Sequence, residues 1–209
     1  MDTSRHFFCL EGIDGCGKST QLELLAKELR SEGLDVLCIR EPGGSEISER
    51  IRSLLLDIKY KGIMNAKTEL LLYNAARAQV ISEKIKPALD AGKIVLADRF
   101  AWSTLAYQGY GRGLDTQMVS ELSQIACGKY FPELTIVLDI DVLEGHKRMV
   151  GENRTPDRLE SEAESFFERV RQGYKQMALD FPNAVLVVDA SQSVDRIHKE
   201  ILSLVKAKL

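Results

Sequence analysis

The stretch Gly12-Ile13-Asp14-Gly15-Cys16-Gly17-Lys18-Ser19, followed at once by Thr20, constrains this chain more than any other. It lies between the apolar run "FFCLE" and the helical run "STQLELLAKEL". The spacing matches G-x-x-x-x-G-K-[ST], and its mechanics are specific. Glycines let backbone N–H groups turn inward around phosphate oxygens. The following helix presents unpaired N–H groups and a positive dipole end to the same anion. Lys18 can reach the β- and γ-phosphates, and Ser19 can offer a hydroxyl to Mg²⁺. Gly12 through Thr20 are therefore the predicted nucleotide loop, for a triphosphate with Mg²⁺. ATP is the default, because the N-K-x-D element of a GTPase is missing and "NAKT" at Asn65–Thr68 does not fit it. Cys16 reads as a small residue that suits the loop, with a helix-terminal thiol of lowered pKa as the alternative.

Apolar runs and helical patterns alternate along all 209 residues. "HFFCLE", "DVLCIR", "IVLAD", "LTIVLDI" and "AVLVVDA" are short and nearly continuous in apolarity, as strands buried on both faces are. Helical spacing appears at Leu22, Leu25 and Leu29, and again through Leu70, Tyr73, Arg77, Ile81 and Ile85. It recurs at Phe166, Phe167, Val170, Tyr174 and Met177, and at Ile197, Ile201, Leu204 and Val205. The alternation predicts one α/β domain over 1–209, a five-stranded parallel sheet with helices on both faces. "GENRTPDRLE" is the most loop-like segment, and the predicted lid spans about 148–158.

The net charge of −3 gives no excess of basic residues for nucleic acid or a membrane surface. The longest apolar runs fall far short of the roughly 20 residues of a spanning helix. The start "MDTSRHFF" reaches charged residues too soon for a signal peptide, so a cytoplasmic protein is expected. Cys9, Cys16, Cys38 and Cys127 form no C-x-x-C pair, and His6, His146 and His198 form no ligand pattern.

Polar residues gather where strands should end, the place where open parallel sheets bind ligands. "DVLCIREPGG" closes on Arg40, Glu41 and Pro42, and "IVLADRFAWSTLAYQGYGRG" on Asp98 and Arg99. Tyr73 and Arg77 are four apart and share a helix face. They suit an aromatic plate with a guanidinium for a planar base, and equally a core tyrosine beside a surface arginine.

"EGIDGCGKST", "REPGG", "LLLYNAARAQ", "DRFAWSTLAYQGYGRG" and "PDRLE" occur in the order seen in thymidylate kinases, and the chain resembles their bacterial branch from end to end. The resemblance implies transfer of a phosphoryl group from MgATP to dTMP, giving ADP and dTDP, and a homodimer. It implies Tyr73 against the thymine ring, Arg77 on a thymine carbonyl, Thr104 and Gln108 at the base, and Ser103 among the substrate-binding residues. Tyr107 falls where a tyrosine crowds the 2′ position. Arg99, Arg40 and Arg52 fall near the acceptor phosphate. Asp14 falls near the sugar or metal, and Asp98 is tied to Mg²⁺ through water. Eukaryotic relatives carry an arginine in the loop where this chain has Gly15 and Cys16. The basic residues come instead from the lid, where Arg154 is expected in the transition state, Arg148 is its substitute, and Arg158 belongs to the same group. "DRF" replaces the commoner "DRY" or "DRH". Two rivals stand beside this reading. One is a kinase for another nucleotide or nucleoside; the other is a silent nucleotide-binding regulator, which would have no need of lid arginines.

Overall fold

The computed structural model describes residues 6–150 and 156–209. All five expected strands form: β1 (Phe7–Glu11), β2 (Val36–Arg40), β3 (Ile94–Asp98), β4 (Leu134–Asp139) and β5 (Val185–Asp189). They make one parallel sheet in the order β2-β3-β1-β4-β5. Alternation along β1 and β3 divides the core. Phe8, Leu10, Ile94 and Leu96 join one apolar cluster; Phe7, Cys9, Val95 and Ala97 join the other. Side chains two apart share a face of a strand, so both faces of the central strands are covered.

The helices are α1 (Lys18–Ser31), α2 (Glu46–Leu56), α3 (Ala66–Val80), α4 (Lys86–Asp90), α5 (Ala101–Thr104), α6 (Thr116–Cys127), α7 (Val142–Val150), α8 (Glu164–Asp180) and α9 (Val194–Lys206). Leu22, Leu25, Ala26 and Leu29 of α1 are all buried against the first cluster. Each fully buried leucine contributes roughly 1.5–3 kcal/mol. The stripe expected through Ile85 is broken. α3 ends at Val80, and a π-helical turn covers Ile81–Ile85. A four-residue spacing repeated from Tyr73 to Ile85 drifts about 40° per step around an α-helix. Tyr73 and Arg77, before the wider turn, line a cleft, and Ile81 and Ile85, within it, join the second cluster. The aromatic, glycine-containing run after β3 forms α5 and a second π-helical stretch, Leu105–Gly111. A Cβ on Gly111 would stand 2.7 Å from the Phe166 ring, so α8 packs there only against glycine.

No helix among the described residues is long and apolar enough to cross a membrane. Cys9, Cys16 and Cys127 are buried free thiols, and Cys38 is half-buried. His6 lies 3.5 Å from Glu133 and stacks over Phe8, and His146 meets Phe167 edge-on.

β3 connects past β1 to β4, so the chain leaves β1 and β4 toward opposite edges of the sheet. That places the topological switch at their carboxyl ends, where the glycine loop emerges.

Candidate active site

The loop from Gly12 to Gly17 joins β1 to α1. Gly12, Gly15 and Gly17 have φ of 133°, 78° and 96°. Two of them also face backbone with no room to spare. A Cβ on Gly12 would lie 2.5 Å from the Leu138 carbonyl oxygen, and one on Gly15 would lie 2.1 Å from that of Gly145 in α7. Lys18 is buried and folds over its own loop, donating to the carbonyls of Gly12 (3.2 Å) and Ile13 (2.9 Å) and to Cys16 Sγ (3.5 Å). Ser19 Oγ donates to Asp98 Oδ2 at 2.6 Å, which joins the start of α1 to the end of β3. A hydroxyl and a carboxylate are hard oxygen donors of the kind Mg²⁺ prefers. Among the described residues no cluster of three His, Cys, Asp or Glu side chains could hold a metal alone. An ion here would take most of its ligands from phosphates and water, as Mg²⁺ commonly does.

Arg99 follows β3 with a φ of 69°. Left-handed backbone costs a non-glycine residue roughly 1–2 kcal/mol. Its N–H donates to the Leu10 carbonyl at 3.0 Å. The guanidinium donates to Asp14 Oδ1 (2.6 Å), the Gly12 carbonyl (2.9 Å) and Ser103 Oγ (3.4 Å), and lies over the Tyr107 ring. Burial works against its charge, but Asp14 and the surrounding tyrosines outweigh it and hold Arg99 protonated. Tyr107 Oη donates to Asp14 Oδ2 at 3.4 Å. Below this layer Glu11 is fully buried and accepts from Phe100 N (2.8 Å), Ser103 N (3.0 Å), Ser103 Oγ and Tyr174 Oη (2.7 Å).

One cleft opens beside Arg99, lined by Glu41, Pro42, Arg52, Leu56, Tyr73, Arg77, Phe100, Ser103, Thr104, Tyr107, Gln108 and Asp157 among others. Arg77 is 1% exposed and thoroughly tied. Its Nε meets Glu41 Oε2 at 2.8 Å, Nη1 meets Asn74 Oδ1 at 3.3 Å, and Nη2 meets the Phe100 carbonyl (3.1 Å) and Thr104 Oγ1 (2.9 Å). A guanidinium has five N–H groups, so one on Nη1 stays uncommitted among the described residues. Burial pushes Glu41 up to about 7 despite Arg77, and its Oε1 has no partner among the described residues. Arg52 donates to the Pro42 carbonyl at 2.8 Å; burial and then Arg40 lower its pKa. Gln108 Nε2 donates to Glu69 Oε1 at 2.7 Å.

A second cleft runs over the glycine loop and is lined by Asp14 to Gln21, Arg40, Arg148, Met149, Gln192, Ser193 and Val194. Asp14, Glu41, Arg52, Arg99, Asp157 and Glu160 line both clefts, so the two meet there.

Of the residues singled out from sequence, Gly15 to Thr20, Asp98, Arg40 and Arg148 face the loop cleft; Pro42, Tyr73, Arg77, Ser103, Thr104, Tyr107 and Gln108 face the other; and Asp14, Glu41, Arg52 and Arg99 face both. Gly12 and Ile13 anchor Lys18 from behind. Arg77 is a buried arginine, so the surface-arginine alternative is set aside. Arg154 and much of the expected lid lie outside the described residues. Arg148 is exposed at the rim, near Glu144 (3.5 Å) and the Ala190 carbonyl (3.3 Å). Arg158 is a core residue: it is 3% exposed, 2.6 Å from Glu69 Oε2, and donates to the Leu55 carbonyl at 2.6 Å.

Sequence reasoning missed Glu11, Glu69, Arg112, Asp157 and Tyr174. One signal existed: Glu69 sits one helical turn before Tyr73 and two before Arg77, on their face. Glu11 had no such sign, because a carboxylate at a strand end is ordinarily taken for solvent exposure.

The sequence profile of the thymidylate kinase family matches residues 10–201. A thymidylate kinase of Halothermothrix orenii is 50% identical over 205 residues, 97% of each chain. One of Bacillus licheniformis is 46% identical over 204 residues, 97% of this chain and 96% of that one. The crystal structure of the Ehrlichia chaffeensis thymidylate kinase superposes with a TM-score of 0.77 at 34% identity, covering 96% and 98% of the two chains.

Proposed function

The chain belongs to the thymidylate kinase family, and from that premise we propose that it transfers the γ-phosphoryl group of ATP to dTMP, giving ADP and dTDP for nucleotide biosynthesis. One observation carries the acceptor: the cleft beside Arg99 offers an uncommitted Arg77 N–H and the amide oxygen of Gln108, which takes no hydrogen bond among the described residues. A pyrimidine imide presents a carbonyl acceptor beside an N–H donor, the complement of that pair. Tyr73 gives the ring an aromatic wall in the same cleft.

The acceptor phosphate is already ionised at neutral pH, and the transition state is loose, so positioning and charge neutralisation do most of the work. Lys18 leaves its loop carbonyls for the β- and γ-phosphates. Backbone N–H groups of the loop and the first turn of α1 hold the same oxygens. Arg99 holds the acceptor phosphate in line at the junction of the clefts, and Arg52 and Arg40 offset repulsion from the entry side. Ser19 and Asp98 would hold Mg²⁺, which when bound neutralises charge on the β- and γ-phosphates. Asp14 keeps the Arg99 fork aimed, and with Tyr107 it faces the sugar. Arg154, with Arg148 as substitute, adds positive charge at the transferring group. Gln192, Ser193 and Val194 border the donor cleft and suit the adenosine end. We further propose that the chain acts in the cytoplasm as a homodimer, in keeping with the family resemblance.

Coupled ADP release with MgATP tests the reading, with dTMP, dUMP, dGMP and thymidine as parallel acceptors. Turnover confined mainly to dTMP supports it. Faster turnover with another acceptor overturns the base assignment, and none with any acceptor overturns the kinase.

A further inference from the structure

Glu69 is a buried carboxylate of the acceptor side with four side-chain contacts, and nothing in the mechanism above uses it. It projects from α3 and is 1% exposed. Oε1 accepts from Gln108 Nε2 (2.7 Å) and Arg112 Nε (3.1 Å); Oε2 accepts from Arg112 Nη2 (3.1 Å) and Arg158 Nη1 (2.6 Å). Arg112 Nη1 in turn meets Glu162 Oε1 at 2.7 Å. Two carboxylates thus face two guanidiniums, which lets the buried group stay charged. Burial alone would raise its pKa, but the donors from Arg112, Gln108 and Arg158 hold it below the usual glutamate value.

An ionised carboxylate only accepts hydrogen bonds. The side of Gln108 that faces Glu69 must therefore be its NH₂, and the amide oxygen must point away. A glutamine held by neutral partners has no such obligation, since its two ends are nearly equal in shape. We infer that Glu69 is a positioning residue for base recognition, which locks the Gln108 amide with its oxygen toward the acceptor cleft. The inference rests on the dTMP reading. Held this way, Gln108 meets an imide N–H. The same position in a cytosine ring carries a lone pair, and the facing oxygens and nitrogens repel. Beside the Arg77 contact, a share of the preference of thymine over cytosine is thereby set by a carboxylate that touches neither base.

The test compares affinities for dTMP and dCMP by calorimetry, in the wild-type chain and in Glu69→Gln, Glu69→Asp and Arg112→Gln. In Glu69→Gln the neutral partner accepts either end of Gln108. The dTMP-to-dCMP affinity ratio is expected to fall roughly tenfold or more, about the value of one neutral hydrogen bond. Glu69→Asp keeps the charge for both arginines but withdraws the acceptor from Gln108 by one methylene. It gives the same relaxation and serves if Glu69→Gln does not fold. Arg112→Gln weakens the cluster while leaving the Glu69–Gln108 bond, so its melting temperature falls and its ratio stays at the wild-type value. A wild-type ratio in a folded Glu69 variant overturns the inference, and so does an equal loss in Arg112→Gln. A wild-type chain that does not prefer dTMP overturns the acceptor reading and this inference together.

Discussion

Replacing Arg77 by methionine removes the guanidinium and keeps most of the volume. Four hydrogen bonds disappear, and the Glu41 carboxyl is left 3% exposed with neither oxygen paired by Arg77. Breaking a buried pair by deleting one partner costs about 3–5 kcal/mol. In a domain of this size that lowers Tm by roughly 6–20 °C. The loss should depend on pH, with a definite sign. Burial has already pushed Glu41 up to about 7, against the pull of Arg77. Without Arg77 it rises further. A carboxyl whose folded pKa exceeds its unfolded value stabilises fully below the unfolded pKa, and that contribution is lost as pH rises through the folded one. The variant should therefore be less impaired at pH 6, where Glu41 is neutral, than at pH 8.5, where it must ionise or unfold. Adding Glu41→Gln should recover part of the loss at pH 8.5 and little at pH 6. Urea denaturation without nucleotides, at both pH values, measures all three chains. A loss below about 1 kcal/mol at pH 8.5, or a double variant no better than the single one there, would refute the argument.

Other outcomes follow from the same geometry. Arg99→Ala and Arg99→Gly should both lose at least about 10²-fold in kcat. Yet Arg99→Gly should be the more stable of the two by roughly 1 kcal/mol in denaturant, because glycine accepts a φ of 69°. Gly15→Ala places a methyl 2.1 Å from the Gly145 carbonyl oxygen and should abolish ATP binding by equilibrium dialysis. Arg154→Ala should lower kcat far more than substrate affinity in steady-state kinetics, and an unchanged kcat would move the role to Arg148.

The strands were legible because burial on both faces leaves a continuous apolar run, and the glycine loop because few other backbones need that spacing. The cleft was legible in part. Tyr73 and Arg77 announced themselves by a four-residue spacing, but spacing alone could not say whether Arg77 was inside. That depended on Glu41, 36 positions away, arriving to meet it. Glu11 and Tyr174 meet across 163 positions, and neither carries a local trace of the other. The run after β3 was opaque for another reason: glycines and aromatics are poor helix formers, and the close approach of Phe166 to Gly111 joins positions far apart in the chain.

Lys18 gives the loop a property that its glycines do not. Its ammonium donates to the Gly12 and Ile13 carbonyls, so a long side chain from the first residue of α1 is fastened across the turn that precedes it. The loop is braced from within by its own cation, and the residue that carries the charge also holds the shape of the turn around it.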